Sequence, residues 1–171
     1  MRLFLALVPP ERIQEGIAGN LAPHRKAYPG LKWVPAEMLH LTLRFLGEAS
    51  PEDVLNRLNG LDILSCLPVG FTLNRYGTFG RPPSVLWLSG DFSRGARILA
   101  DMLSRLPDGN GNIEDRPFKP HITLARAHRG DKVPVLPDPM EISGEFRELR
   151  LVSSVLKPPG PVYGTVEKWE V

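Results

Sequence analysis

The chain has 171 residues, 23% of them charged, and a formal net charge of +2, a balance that gives only a mild preference for anionic partners. Its single cysteine, Cys66, excludes an intrachain disulfide, and the apolar opening Met1 to Val8 is too short for a signal or membrane segment. We therefore expect one cytoplasmic domain over residues 1–171, with no membrane association.

The first half of the chain predicts alternating strands and helices. The apolar run Leu3–Val8 is typical of a strand buried on both faces. Apolar residues at every fourth position over 13–21 predict an amphipathic helix, which Pro23 ends or kinks. A strand that carries His40 follows and runs to about Leu46. Ser50, followed by a proline and two acids, then predicts the start of a second helix.

The second half adds a hairpin, a helix and more strands. Two segments, Gly70–Tyr76 and Val85–Ser89, predict a hairpin with a wide loop over 77–83. Apolar residues from Phe92 to Leu106 mark a third helix, and the polar segment 107–116 after it is predicted to be a mobile loop. Three closing strands are predicted over Glu141–Arg147, Glu148–Leu156 and Val162–Glu170.

This order of elements indicates an α+β fold. Helices and strands are mixed too irregularly for repeated right-handed βαβ units, so the sheet should be mainly antiparallel. A short motif occurs twice, 81 residues apart, and divides the chain into two pseudo-symmetric lobes. We expect helices on the outside and an active-site cleft between the lobes.

The repeated motif is His-x-Thr-Leu, at residues 40–43 and again at 121–124. Successive side chains of a strand point to opposite faces, so His40 shares a face with Thr42, and His121 with Thr123. A single histidine on a strand is more often a structural residue than a catalytic one. Two copies in matching surroundings favour a catalytic role for both histidines.

Two histidines facing each other across a cleft suit in-line attack at phosphorus. One imidazole accepts a proton from the attacking hydroxyl or water, and the other donates a proton to the departing oxygen. The hydroxyls of Thr42 and Thr123 can donate hydrogen bonds to the non-bridging phosphate oxygens. The sequence has no zinc-type His or Cys spacing, no nucleophile-elbow serine and no Walker or Rossmann glycine pattern, so we expect no metal and no cofactor. The other histidines, His24 and His128, are expected to be exposed.

The chain resembles the 2H phosphoesterase superfamily and, within it, the bacterial and archaeal RNA 2′,3′-cyclic phosphodiesterases, also called 2′-5′ RNA ligases. The resemblance extends over nearly the whole length. It rests on both His-x-Thr-Leu motifs and on the following flanking segments: Met1–Phe4, Trp33–Pro35, Arg44–Gly47, Pro83–Trp87, Pro117–Pro120, Ala125–Arg126 and Gly160–Tyr163.

The resemblance implies hydrolysis of a 2′,3′-cyclic phosphate at an RNA end, tRNA fragments included, to a 2′-phosphate by a monomer. It implies that His40 donates a proton to the 3′ oxygen and that His121 is the base that activates water. Run in reverse, the same site would join RNA ends through a 2′-5′ linkage. Arg126 matches a family arginine that reaches the phosphate, although strict alternation of the strand places it on the face opposite His121. Strict alternation places Arg44 on the same face as His40, so Arg44 is the alternative phosphate-binding arginine.

Two alternatives stay open at the level of sequence. One is a phosphodiesterase of the same type that acts on a small cyclic nucleotide. The other is a module that binds RNA ends without catalysis and uses the His-Thr faces only to contact phosphate. Comparison of mononucleotide with oligonucleotide substrates, and of binding with conversion, separates these hypotheses.

Overall fold

A single nine-stranded antiparallel sheet forms the frame of the protein in a computed structural model that describes all 171 residues. Its strands are β1 (Arg2–Val8), β2 (Lys32–Trp33), β3 (Leu41–Glu48), β4 (Val69–Phe79), β5 (Val85–Phe92), β6 (Ile122–Arg126), β7 (Ile142–Phe146), β8 (Glu148–Lys157) and β9 (Gly160–Glu170). Their order across the sheet is β7-β4-β5-β6-β3-β1-β8-β9, and β2 pairs with β6. The predicted α+β fold with an antiparallel sheet is confirmed.

Three helices cover one face of the sheet: α1 (Glu11–Ala27), α2 (Pro51–Leu58) and α3 (Arg94–Ser104). Their apolar faces join strands of both halves of the chain in a core of 32 buried residues, in which α1 contacts β7 and α3 contacts β3. Ser50 caps α2 by accepting a hydrogen bond from the backbone N–H of Asp53, as its sequence predicted. None of the helices has the length and apolar composition needed to cross a bilayer.

The sheet consists of two lobes that meet at β3 and β6. Strands β1, β3, β8 and β9 form one lobe, and β4, β5, β6 and β7 form the other. Only one backbone pair, Leu41 with Ile122, joins β3 to β6. The two lobes are therefore joined by backbone pairing at a single point, directly after the two motif histidines.

Two local bounds differ from the sequence prediction. Helix α1 does not end at Pro23 but continues to Ala27. In its last turn Arg25 donates a hydrogen bond to the carbonyl of Val34 at 2.6 Å and lies over the ring of Trp33. The wide hairpin loop is also shorter than predicted, because β4 runs on to Phe79.

Candidate active site

The two motif histidines lie on either side of the junction between the lobes. Each stands one residue before its strand, so that Leu41 and Ile122, the residues that pair, follow His40 and His121 directly. In an antiparallel pair this register sets His40 beside Thr123 and His121 beside Thr42, all four on the face opposite the core residues Leu41 and Ile122. The two histidines are then diagonal neighbours, close enough for the charge of His121 to act on His40.

The two imidazole rings are held in the same way. Nδ1 of His40 lies 2.7 Å from the carbonyl oxygen of Met38, and Nδ1 of His121 lies 2.7 Å from the carbonyl oxygen of Lys119. A carbonyl oxygen only accepts hydrogen bonds, so in both neutral rings Nδ1 carries the hydrogen and donates the hydrogen bond. Nε2 of each neutral ring therefore has a free lone pair, which is the arrangement that a general base requires.

Aromatic side chains pack against both rings. Phe4 and Tyr163 contact His40, with ring centroids 5.0 and 5.6 Å away. Phe79 meets His121 edge to face at 4.9 Å. On the same side, buried Ser89 donates a hydrogen bond to the carbonyl of Pro120, the residue before His121. These contacts fix the ring positions before any substrate arrives.

The surroundings lower the pKa of both histidines below the ordinary value of 6.5. For His40 burial is the main cause, the hydrogen bond to Met38 opposes it, and the positive charges of His121 and Arg126 lower the pKa further. Burial also dominates for His121; the bond to Lys119 opposes it and Arg126 adds to the lowering. Arg126 thus acts on both imidazoles.

A bulge in β6 brings Arg126 to this face. Leu86 pairs with Ala125 but the next residue, Trp87, pairs with Thr123, so Leu124 is an extra residue in the strand. Beyond an extra residue, each side chain of the strand points to the face opposite the one that strict alternation assigns to it. Leu124 and Ala125 are therefore both buried, and exposed Arg126 shares the face of Thr123, contrary to strict alternation.

The first motif contains the same bulge. Leu5 pairs with Arg44 whereas Ala6 pairs with Thr42, which leaves Leu43 as the extra residue. Here the reversed alternation directs Arg44 into the core, where it is 5% exposed, and brings Phe45 to the site face. The bulge in β3 thus removes an arginine from the site face, whereas the bulge in β6 brings one to it.

Buried Arg44 is fully engaged away from the site face. Its guanidinium donates hydrogen bonds to the carbonyls of Leu106 and Asn112, both at 2.8 Å, and lies 3.5 Å from the carboxylate of Glu114. These bonds tie the loop over 107–116, which was predicted to be mobile, to the core strand β3. Arg44 is thus placed as a structural residue, and Arg126 is the arginine next to the histidines.

Sequence reasoning did not assign any aromatic residue to the site. Phe45 is 60% exposed beside Phe4, with ring centroids 5.8 Å apart, and Phe4 also contacts His40. A signal was present: Phe45 follows His40 by five residues, as Arg126 follows His121. Tyr163 comes from β9 and no local pattern linked it to His40.

The other two histidines lie outside this arrangement. His128 is exposed in the loop after β6, as predicted. His24 is half-buried and meets Tyr76 edge to face at 6.0 Å, so the prediction that it is exposed was wrong. No group of three or more His, Cys, Asp or Glu side chains is arranged to hold a metal ion.

Known proteins resemble this chain in sequence and in structure. A family model described as LigT like Phosphoesterase matches residues 8–87, which include the first His-x-Thr motif. The RNA 2′,3′-cyclic phosphodiesterase of Methanocaldococcus jannaschii is 34% identical over 180 residues, covering 99% of this chain and 100% of the relative.

Two solved structures are similar over the whole chain. A phosphoesterase structure superposes with a TM-score of 0.81 at 32% identity, covering 99% of this chain and 97% of that one. The Escherichia coli LigT structure complexed with 3′-AMP has a TM-score of 0.75 at 31% identity, with the same coverage of both chains.

Proposed function

The chain belongs to the family of LigT-like phosphoesterases, and we propose that it hydrolyses the 2′,3′-cyclic phosphate at an RNA end to a 2′-phosphate. The observation that carries this proposal is the matched pair of histidines, each with Nδ1 bound to a backbone carbonyl and Nε2 available, on one face of the junction between the lobes. The 3′-AMP held by a similar structure fits a nucleotide substrate.

In the proposed reaction the two histidines have opposite roles. Nε2 of neutral His121 takes a proton from water as the water oxygen bonds to phosphorus, and Nε2–H of protonated His40 gives a proton to the ribose O3′ as the P–O3′ bond breaks. The products are a 2′-phosphate and a 3′-hydroxyl, and exchange with solvent restores both imidazoles. A 5′-hydroxyl of a second RNA in place of water would give a 2′-5′ linkage.

The asymmetry between the lobes supports His40 as the acid. The leaving oxygen belongs to a ribose, so the acid must lie on the side that holds the nucleoside. Phe45, the exposed aromatic ring on the site face, lies on the His40 side, where it is joined to His40 through Phe4. A base stacked on Phe45 would place its own ribose beside His40.

Thr42, Thr123 and Arg126 would stabilise the negative charge that builds up on the non-bridging oxygens. The threonines flank the two histidines, and their hydroxyls can donate to those oxygens. Exposed Arg126 has a charge close enough to act on both imidazoles, and its planar guanidinium suits two phosphate oxygens at once. No step of this scheme uses a metal ion or a cofactor, and one copy of the chain supplies every group.

The test uses an RNA with a radiolabelled 2′,3′-cyclic phosphate end, incubated with the purified protein in EDTA. We expect a product that releases 2′-AMP rather than 3′-AMP on digestion when the terminal nucleoside is adenosine. His40→Ala and His121→Ala should each slow the reaction by at least ~10²-fold, the loss expected for a missing general acid or base.

His128→Ala is the matched control, because His128 is exposed outside the site, and it should react at the wild-type rate. Tight binding of the RNA without conversion, or full activity in both site variants, would refute the proposal. Turnover of adenosine 2′,3′-cyclic phosphate alone, with none of the RNA, would indicate the small-nucleotide alternative.

A further inference from the structure

A cavity of about 380 Å³ opens beside His40 and is not used by the proposed reaction. Its apolar wall includes Phe4, Val152 and Tyr163, which pack together on the site face of β1, β8 and β9. Two charged side chains, Glu37 and Arg150, line it as well. A concave apolar surface with a few polar groups is the usual form of a small-ligand site.

The two lobes differ in side-chain size at one corresponding position beside the site. Ala6 of β1 lies across from Thr42, and Trp87 of β5 lies across from Thr123 at the corresponding place. The indole of Trp87 covers Gly77, where an added Cβ would be 2.1 Å from the ring, and it packs on Phe79. The second lobe thus has a bulky indole where the first lobe, which holds the cavity, has the small side chain of Ala6.

Phe4 lines the cavity and also contacts Phe45, which is not part of the cavity lining. Phe45 is reached along β3, beyond Phe4, whereas the cavity includes Glu37 and Met38 of the short 3₁₀ turn that precedes His40. A ribose with its cyclic phosphate between the two histidines has its base on C1′ and its 5′ carbon on C4′, the two carbons that flank the ring oxygen. With the terminal base on Phe45, the 5′ carbon leaves from the other flank of the ring oxygen, and the preceding nucleotide can reach the neighbouring cavity across Phe4.

We propose that this cavity binds the base of the nucleotide that precedes the one with the cyclic phosphate, an inference that rests on the proposed function. Phe4 and Tyr163 offer aromatic surface to a planar ring, as single-stranded RNA readers do. The carboxylate of Glu37 accepts hydrogen bonds from an amino group. Arg150, whose Nε is bound to Glu148, still has terminal N–H groups that can donate to a carbonyl or a ring nitrogen.

Guanine offers two hydrogen-bonding groups to each of the charged residues. It presents N–H donors to a carboxylate and the O6 and N7 acceptors to a guanidinium, the pairing by which arginine commonly recognises guanine. Uracil has no amino group and is the poorest match. The site would thus distinguish an RNA end from a mononucleotide and favour guanine over uracil at the preceding position.

The test compares kcat/KM for adenosine 2′,3′-cyclic phosphate with that for the dinucleotides GpA and UpA ending in the same cyclic phosphate. We expect the wild type to prefer the GpA substrate to the mononucleotide by about tenfold or more, the order expected for a charge-assisted hydrogen bond, and to prefer GpA to UpA. Glu37→Leu and Arg150→Gln should remove most of the preference for GpA while leaving the rate on the mononucleotide within about twofold.

Glu15→Leu is the control, since it removes an exposed carboxylate on α1, away from the cavity, and it should keep the wild-type preference. Equal losses on the mononucleotide and on GpA would overturn the assignment, because the cavity would then hold the terminal base. Equal rates on all three substrates in the wild type would also overturn it, with the proposed function intact. Failure of the wild type to convert any of them would refute the proposed function itself.

Discussion

Nδ1 of His40 lies 2.7 Å from the carbonyl oxygen of Met38, two residues before it in the chain, and His121 stands in the same relation to Lys119. Each imidazole is therefore oriented by its own segment of backbone rather than by a carboxylate. No negative charge compensates the cost of protonating a half-buried ring. This is the structural reason that burial can lower the pKa of both rings below 6.5.

The pH dependence of kcat/KM follows from these shifts. The reaction needs the acid protonated and the base neutral, so activity rises as the base loses its proton and falls as the acid loses its own. Because both pKa values lie below 6.5, kcat/KM should decline as pH rises above that value. Arg126→Met removes a positive charge that disfavours protonation, so it should move both limbs of the profile to higher pH. A descending limb well above pH 6.5 in the wild type would contradict this prediction.

Replacement by methionine should lower activity at Arg126 and stability at Arg44. Arg126→Met removes a phosphate contact, so kcat should fall by about 10²-fold while thermal stability is kept. Arg44→Met leaves the carbonyls of Leu106 and Asn112 without their donor, so the free energy of unfolding should fall by about 3 kcal/mol. The folded Arg44 variant should retain near-normal kcat. Thermal denaturation and single-turnover assays on both variants check this, and the reverse pattern would show that the roles are exchanged.

Phe45 should matter for binding more than for chemistry. Its exposed ring can stack on any base, and such stacking contributes roughly 1–3 kcal/mol per base. Phe45→Leu removes the aromatic face, so we expect kcat/KM on an RNA end to fall by about tenfold, mainly through KM. Phe118→Leu, which changes a half-buried ring outside the cluster around His40, is the control. An equal loss in both variants would argue against a stacking role for Phe45.

The sequence predicted the part of the site in which side chains alternate regularly along the two strands. The duplicated His-x-Thr motif placed four side chains on one face, and the structure brings them together at the junction between the lobes. Alternation failed beyond the two threonines, where it assigned Arg44 to the site face and Arg126 to the opposite face. The bulges at Leu43 and Leu124 reverse this, and a bulge is set by pairing with a neighbouring strand, which no single segment reveals.

The rest of the site also depends on contacts between distant segments. Tyr163 reaches His40 only because β9 pairs with β8 and β8 with β1. The wide hairpin loop was predicted from the glycines and prolines at 77–83, which are typical of turns. In the structure Gly77 lies within β4, because its missing side chain makes room for the indole of Trp87.

This packing makes Gly77 a test of how His121 is held. A methyl group at residue 77 would lie 2.1 Å from the Trp87 ring, so Gly77→Ala must displace the indole and, through Phe79, disturb the edge contact with His121. Such overpacking should cost about 2 kcal/mol of stability and lower kcat. Gly77→Ala combined with Trp87→Leu relieves the clash and should recover stability, but kcat should recover only if Phe79 returns to His121. Gly19→Ala, at an open helical position, should leave kcat unchanged and raise stability by about 1 kcal/mol or less. A normal kcat in Gly77→Ala would show that Trp87 does not support the histidine.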